Sequence, residues 1–189
     1  STYADFREGL DAYNKGDYET AYKEWQPLAK QGEADAQYSL GFMYRRGEGV
    51  KQDDEKAAYW YRRAADQGDA KAQTYLGLLY TYGKGVLQDY RQAAYWYKKA
   101  ADQGVVKAQN TLGEMYYYGR GVMQDYQSAF VYYSASALKG DAEGQYTLGV
   151  MYENGTGVAQ DYQQAISWYL RATEQQYASA QYNLAVMYY

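Results

Sequence analysis

The chain has 189 residues and a nearly balanced charge, with 19 lysines and arginines against 23 aspartates and glutamates and a net charge of −4. Neither sign forms a long block and no apolar run approaches the roughly 20 residues of a spanning helix, which disfavours nucleic-acid binding and membrane insertion. Histidine and cysteine are both absent, which excludes disulfides, thiolate metal sites and imidazole catalysis.

The N-terminal 33 residues predict a helix pair that differs from the rest of the chain. A first helix from about Tyr3 to Asn14 leads through a short turn into a second helix. We interpret residues 1–33 as the N-terminal cap of a stacked array. Pro27 lies inside the second helix, where its missing N–H and its ring should kink or shorten the helix near Lys23.

From residue 34 onward, the chain repeats one pattern every 36 residues without insertion. The pair Leu40-Gly41 and the loop Gly47-Glu48-Gly49-Val50 both return in register. The pair recurs as Leu76-Gly77, Leu112-Gly113, Leu148-Gly149 and Leu184-Ala185, and the loop as Gly83-Lys84-Gly85-Val86, Gly119-Arg120-Gly121-Val122 and Gly155-Thr156-Gly157-Val158. Such a period indicates stacked units that bury their apolar faces against their neighbours. We predict one domain over 1–189, with full repeats at 34–69, 70–105, 106–141 and 142–177.

Each full repeat predicts two helices, which we call its first and second helix. In the first copy, Ala36, Leu40, Met43 and Tyr44 form an apolar stripe at helical spacing, and Gly47 supplies a left-handed C-cap. The second helix begins at an aspartate that can accept hydrogen bonds from first-turn N–H groups. These aspartates are Asp53, Asp89, Asp125 and Asp161. Along the whole chain, the patterns predict eleven helices.

The second helices carry large aromatic residues at positions that should be buried. In the first copy, Trp60 and Tyr61 share an apolar face with Ala57. Large rings fill space between helices, whereas small residues such as Ala57 and Gly41 let helix backbones approach closely. We therefore predict that the repeated aromatic residues of the second helices belong to the core.

Residues 178–189 predict a lone first helix of a further repeat. With no second helix against it, Leu184, Met187 and Tyr188 should face outward, although terminal repeats normally need a polar outer face. We expect that the chain continues or that another molecule covers this face. One alternative hypothesis is therefore a structural module that self-assembles end to end through 178–189.

The repeated motifs resemble the Sel-one-like repeat (SLR) family, a relative of the tetratricopeptide repeat. The second full copy carries the pattern as Ala70, Ala72, Leu76, Gly77, Tyr80, Gly83, Gly85, Val86, Asp89, Ala93, Trp96, Tyr97, Ala100, Ala101 and Gly104. This resemblance covers almost the whole chain. It implies an all-α fold, a right-handed α/α superhelix (solenoid) of about five 36-residue helix-turn-helix repeats. It also implies a bacterial scaffold for other proteins or peptides that is often exported to the periplasm, with a cytoplasmic location left open.

Three positions depart from the family pattern, and one family activity lacks its residues. Tyr132 replaces a tryptophan, Gly144 replaces an alanine, and Gln176-Tyr177 stands where a helix-ending glycine belongs. We therefore expect the last repeats to pack more loosely than the others. Some cysteine-rich members are described as binding or hydrolysing β-lactams, but their paired cysteines are absent here. An enzyme acting on cell-wall or β-lactam substrates is therefore the remotest alternative, and we predict no catalytic residue, metal or cofactor.

Candidate binding residues lie where the repeats differ, since structural necessity would make the copies alike. The variable columns lie on the first helices, away from the Leu40–Tyr44 stripe, on the face that lines the concave side in this architecture. The candidates are Tyr38, Phe42, Arg45, Arg46, Leu78, Tyr82, Asn110, Glu114, Tyr117, Tyr118, Tyr146 and Glu153. Ordinary solvated helix surface is the competing interpretation for each of them.

The leading hypothesis is a non-enzymatic scaffold that holds an extended peptide or another protein's exposed segment. Tyr82, Tyr117 and Tyr118 would be central, because tyrosine combines contact area with a polar hydroxyl. The charged candidates, arginine in the first repeat and glutamate in the later ones, would set the electrostatic register of the partner.

Overall fold

The computed structural model describes the backbone of residues 2–187 and the side chains of residues 6–187. Within that part of the chain, eleven helices and no strand are present. The helices are α1 Thr2–Asn14, α2 Tyr18–Gln31, α3 Ala34–Arg46, α4 Asp54–Asp66, α5 Ala70–Tyr82, α6 Tyr90–Asp102, α7 Val106–Tyr118, α8 Tyr126–Leu138, α9 Ala142–Asn154, α10 Tyr162–Glu174 and α11 Ala178–Met187. The predicted all-α, two-helix repeat is confirmed. Pro27 does not shorten its helix, because α2 continues through it to Gln31.

The predicted caps set the limits of the helices. The first helices α3, α5, α7 and α9 end at glycines in the left-handed region, with φ from 64° to 71°. At the start of the second helices, Asp53 accepts a hydrogen bond from the backbone N–H of Lys56, and Asp161 accepts from Gln163 and Gln164. These bonds satisfy N–H groups that have no partner inside the helix.

The second glycine of three of the loops, at Gly49, Gly85 and Gly157, lies against the backbone of the helix pair before it. Gly85 has a φ of 66°, and a Cβ added there would lie 2.0 Å from the carbonyl oxygen of Asp54. Gly157 has the same relation to Tyr126, at 2.1 Å. A side chain at either position would therefore collide with a backbone carbonyl that cannot move aside, so only glycine fits.

Within a repeat, the helices approach closely where a first-helix glycine meets a second-helix tyrosine. A Cβ added at Gly41 would lie 2.7 Å from Cδ1 of Tyr61, and one added at Gly149 would lie 2.7 Å from Cδ1 of Tyr169. The other two pairs are Gly77 with Tyr97 and Gly113 with Tyr133, both at 3.0 Å. All four tyrosines are buried, as predicted for the second-helix aromatics.

Between repeats, a buried glutamine ties each first helix to the end of the second helix before it. The Nε2 of Gln37 donates to the carbonyl of Ala29, and that of Gln73 donates to Ala65. Gln109 and Gln145 repeat the bond to Ala101 and Ala137. All four glutamines are at most 6% exposed. A buried amide must be hydrogen bonded, so these bonds help to fix how successive repeats stack.

The helices gather into two compact units, residues 1–100 and 101–189. In the first unit, Trp25 and Leu40 belong to one core cluster, and Tyr61 and Leu76 belong to the next. In the second unit, separate clusters form around Tyr133, Leu148 and Tyr169. The core is thus distributed along the repeats. The single domain over 1–189 stays a prediction.

The orientation predicted for the last helix is wrong at two positions. Leu184 and Met187 are half-buried and pack against the cluster that contains Tyr169. The large apolar side chains that α11 exposes are Tyr182, at 71%, and Val186, at 56%. Leu184 and Met187 lie on the side of α11 that packs against the buried Ala165, Tyr169 and Ala172 of α10, where their apolar surface is removed from water. Tyr188 lies outside the described residues.

We predict that Gly149→Ala destabilises the protein although alanine is the better helix former. The gain in helix propensity is about 1 kcal/mol, whereas overpacking a buried contact costs about 1–3 kcal/mol. The new methyl group would meet both the Tyr169 ring and the carbonyl oxygen of Ala165, at 3.3 Å. The midpoint of urea unfolding should fall for Gly149→Ala and fall less for Gly113→Ala. An unchanged or higher midpoint for Gly149→Ala would contradict the close contact.

Candidate functional site

In the first unit, the candidate residues of α3 form an aromatic cluster with residues of α4 and α5. The first-unit aromatic cluster consists of Tyr38, Phe42, Arg45, Tyr61 and Tyr75. The rings of Tyr61 and Tyr75 are stacked at 5.2 Å, and Tyr38 lies 5.8 Å from Tyr61. Burial raises the pKa of Tyr38 to about 12, with smaller contributions from Tyr75 and Asp69. Within this cluster Tyr61 is fully buried, whereas the other four members are half-buried.

The guanidinium of Arg45 lies over this cluster. It is 4.7 Å from the centroid of the Tyr75 ring and 5.4 Å from that of Phe42, within the range of cation–π attraction. Burial raises the pKa of Tyr61 above its ordinary value, and the nearby Arg45 offsets part of that rise. The structure therefore places this candidate arginine in contact with rings of its own unit.

The guanidinium of Arg46 also lies over the Phe42 ring, at 5.4 Å, and it has further partners in the loop that follows α3. Its Nε donates to Oε1 of Glu48 at 2.6 Å, and the Tyr13 hydroxyl donates to the other oxygen of the same carboxylate. Burial by itself would raise the pKa of Glu48, but these two hydrogen bonds lower it below its ordinary value. The loop carboxylate thus joins α1 to the end of α3.

A groove of about 380 Å³ follows α5 in the first unit. It is lined by Arg45, Gln52, Asp54, Leu78, Leu79, Tyr82 and Lys84. The candidate Leu78 is half-buried in its wall, whereas Tyr82 is 64% exposed at the end of α5. Tyr82 is therefore available for contact with another molecule.

In the second unit, candidate residues of α7 and α9 meet at a pocket of about 300 Å³, which we call the second-unit tyrosine pocket. It is lined by Glu114, Tyr117, Tyr118, Tyr133, Glu143, Tyr146, Thr147, Val150 and Met151. Tyr118 is 64% exposed, and its ring lies 5.0 Å from that of Tyr117. Burial raises the pKa of Tyr133, and the carboxylates of Glu114 and Glu143 raise it further. The pocket combines aromatic walls with negative charge.

Two other second-unit candidates have partners inside the protein. Asn110 is only 3% exposed, and its Nδ2 donates to Asp141 at 2.7 Å. This corrects its expected place on the binding surface, because burial makes it a support for the start of α9. Glu153 is half-buried and accepts a hydrogen bond from the Tyr169 hydroxyl at 2.5 Å. Burial and this bond both raise the pKa of Tyr169.

Exposed aromatic and apolar residues also occur where sequence reasoning did not look for them. Tyr59 and Tyr95 on the second helices are 53% and 52% exposed. Leu87 and Met123, which follow the valine of the repeated loop, are 90% and 89% exposed. The residues at the equivalent positions of the other repeats differ, and this variation could have identified these exposed positions from the sequence. The buried glutamines had the opposite signal, a side chain that does not change from copy to copy.

Nothing in the described part of the chain points to a metal centre. Residues 6–187, whose side chains the structure describes, contain no group of three or more aspartates and glutamates arranged to hold an ion. In the same residues, no helix has the length and apolar character needed to cross a membrane.

Comparison with known proteins gives a consistent family match. The Sel1 repeat profile matches residues 34–69, 70–105, 106–141, 142–177 and 178–189. Comparison with curated proteins finds no match.

The solved structures that resemble this chain have the same fold. Structure c5321, a protective antigen of uropathogenic Escherichia coli strains with an SLR fold, is 38% identical with a TM-score of 0.95. The match covers 98% of this chain but 41% of c5321. A Sel1 repeat protein from Oxalobacter formigenes is 35% identical with a TM-score of 0.91, over 95% of this chain and 74% of that one. Cysteine rich protein B of Helicobacter pylori, at 24% identity, a TM-score of 0.54 and coverage of 69% and 94%, shows the fold alone.

We predict that stability falls in alkaline solution because of the buried tyrosines. The pKa values of Tyr61, Tyr133 and Tyr169 are raised above 10.0 by burial. Above about pH 10, the unfolded chain therefore releases protons that the folded chain keeps, and the free energy of unfolding falls by up to about 1.4 kcal/mol per tyrosine per pH unit. Urea unfolding at a series of pH values measures this fall.

The variant Tyr61→Phe should make the alkaline fall less steep, because it removes one of the shifted hydroxyls. Tyr59→Phe, an exposed position on the same helix, is the matched control. The same steepness in Tyr61→Phe and in the unmodified protein would show that Tyr61 is not a source of the effect.

Proposed function

Because the chain belongs to the Sel1 repeat family, whose members generally act as protein-interaction scaffolds, we propose that it binds an extended segment of another protein. The binding surface is the first-helix face, formed by the exposed and half-exposed candidates of α3, α5, α7 and α9. The observation that carries the proposal is the exposure of Tyr82 and Tyr118, each at 64%, at a variable position of helices whose repeated leucines, Leu76 and Leu112, are buried.

Tyrosine at these positions favours binding over simple solvation. An exposed ring costs free energy in water and gains contact area against a partner, while its hydroxyl keeps a hydrogen-bonding group at the rim. Tyr82 and Tyr118 occupy the same column of consecutive first helices, α5 and α7. Each unit therefore has an exposed tyrosine at this position that a partner can contact.

The charged residues that line the candidate surface of each unit differ. Arg45 and Lys84 line the first-unit groove, whereas Glu114 and Glu143 line the second-unit tyrosine pocket. Complementary charge mainly sets register and association rate. The first-unit groove also contains Asp54, whereas the second-unit tyrosine pocket is lined by no basic residue among those described. No catalytic group is needed for this function.

We predict that Tyr82→Ala, Tyr117→Ala and Tyr118→Ala each weaken capture of the partner. Interface tyrosines commonly contribute about 1–2 kcal/mol, so each variant should lose about ten-fold in affinity. The measurement is affinity capture from the native extract with quantitative mass spectrometry, followed by titration of the recovered partner. Circular dichroism checks that helicity is unchanged.

Tyr59→Ala and Tyr95→Ala are matched controls, because these tyrosines are about as exposed but lie on the second helices. They should leave capture unchanged. If the second-helix variants lost the partner and the first-helix variants kept it, the binding surface would lie on the second helices.

Self-association through 178–189 stays a prediction, and light scattering over a concentration series tests it.

A further inference from the structure

The first unit contains a guanidinium site made entirely from its own residues. The charged group of Arg45 lies over the rings of Tyr75 and Phe42, beside Tyr61. A planar guanidinium is weakly hydrated and stacks on aromatic faces, which suits it to such a site. In the first unit, therefore, the guanidinium that stacks on these rings comes from Arg45 of α3.

In the second unit, 72 residues further along the chain, the positions equivalent to this site carry different residues. Tyr117 stands at the position of Arg45, and Tyr133 at that of Tyr61. Thr147 stands at the position of Tyr75 and Glu114 at that of Phe42, so neither ring that contacts Arg45 is present in this copy. The arginine is missing from this copy, and the space beside Tyr133 is the second-unit tyrosine pocket.

The pocket also gains negative charge relative to the first unit. Glu114 replaces Phe42, and Glu143 replaces Lys71. The raised pKa of Tyr133 has these two carboxylates among its causes. Among the described residues that line the pocket, none is basic. Arg120 lies outside the lining and approaches Glu114 at 3.6 Å, where both side chains are 48% exposed, so its attraction is screened by water.

We infer that the second-unit tyrosine pocket binds an arginine side chain of the partner. The inference rests on the proposed function and names the chemistry that one part of that surface recognises. The guanidinium enters beside the tyrosine rings that line this pocket, which include Tyr117, Tyr118 and Tyr146, and pairs with Glu114 and Glu143. These rings replace the two that Arg45 lies over in the first unit.

Alternative side chains fit the pocket less well. Glu143 accepts a long hydrogen bond from the Nδ2 of Asn110, at 3.5 Å, and Glu114 has the water-screened contact with Arg120. An aliphatic group would cover these carboxylates without supplying a counter-charge, and desolvating a charge in this way is costly. A lysine would supply charge but not a planar group that stacks on rings and forms paired hydrogen bonds with a carboxylate. The pocket is therefore specific for guanidinium.

The test uses the full chain and three capped tripeptides, Ac-Gly-X-Gly-NH2, in which X is arginine, lysine or citrulline. Citrulline keeps the planar shape of arginine and removes its charge. Titration followed by NMR should show saturable shifts of Tyr118 and Tyr146 with the arginine peptide. We expect at least fivefold weaker binding of the lysine and citrulline peptides. Equal binding of either peptide would overturn the assignment of a guanidinium site.

Two variants locate the binding in the pocket. Tyr117→Arg places an arginine where the first unit has Arg45, so the pocket should fill itself and lose the peptide. The double variant Glu114→Gln with Glu143→Gln should weaken binding about tenfold, because it removes both charges and keeps the shapes. Gln163→Arg and Glu174→Gln are the matched controls, at exposed positions of α10, and should bind as the unmodified chain does.

If a folded Tyr117→Arg variant and the double variant both bound the arginine peptide normally, the inference would be wrong. If no tripeptide bound while capture of the natural partner still required Tyr82 and Tyr118, this inference would fail and the proposed function would stand. Failure of the proposed function has a different result, namely capture that is insensitive to all the first-helix tyrosine variants.

Discussion

The close contact between a first-helix glycine and a second-helix tyrosine is the constraint on which the rest of the structure depends. At Gly41 and Gly149, the tyrosine ring occupies the space where any other residue would place its Cβ. Dispersion contacts at this distance need complementary shapes, since a small change in volume costs contacts or causes overlap. The pair fixes the distance between the helices of a repeat, and it also fixes the ring. A tyrosine held in this way presents its hydroxyl to the same place in every repeat.

What the hydroxyl meets there differs from copy to copy. Tyr61 lies beside the guanidinium of Arg45, Tyr169 donates to the carboxylate of Glu153, and Tyr133 borders an open pocket. The core therefore supplies a constant group, and the variable residue of the first helix decides its chemistry. Packing and recognition are therefore linked, because the variable first-helix residues lie beside the buried second-helix tyrosines. A binding surface built this way can change without any change in the helix spacing.

Stacking of the repeats depends on polar contacts as much as on apolar ones. The Gln37 amide satisfies the carbonyl of Ala29 at the end of the preceding repeat, and Gly85 allows its loop to lie against the backbone of Asp54. Both contacts involve backbone groups, so they hold for any side chains on the outer surface. They also explain why the repeat length stays constant, because an insertion would move the glutamine and the glycine away from their partners.

The sequence by itself determined the two-helix repeat, its caps and its buried columns. The period, the Gly-x-Gly loops and the aspartates that open the second helices act within a few residues, where local geometry decides the outcome. Only the tertiary structure decided which variable residues are available. It buried Asn110 under α9, turned Leu184 toward α10, placed Arg45 over rings of its own unit and left a pocket beside Tyr133. Those outcomes depend on contacts between side chains of different helices. Aligned positions of the repeats do not show which side chains are in contact across helices.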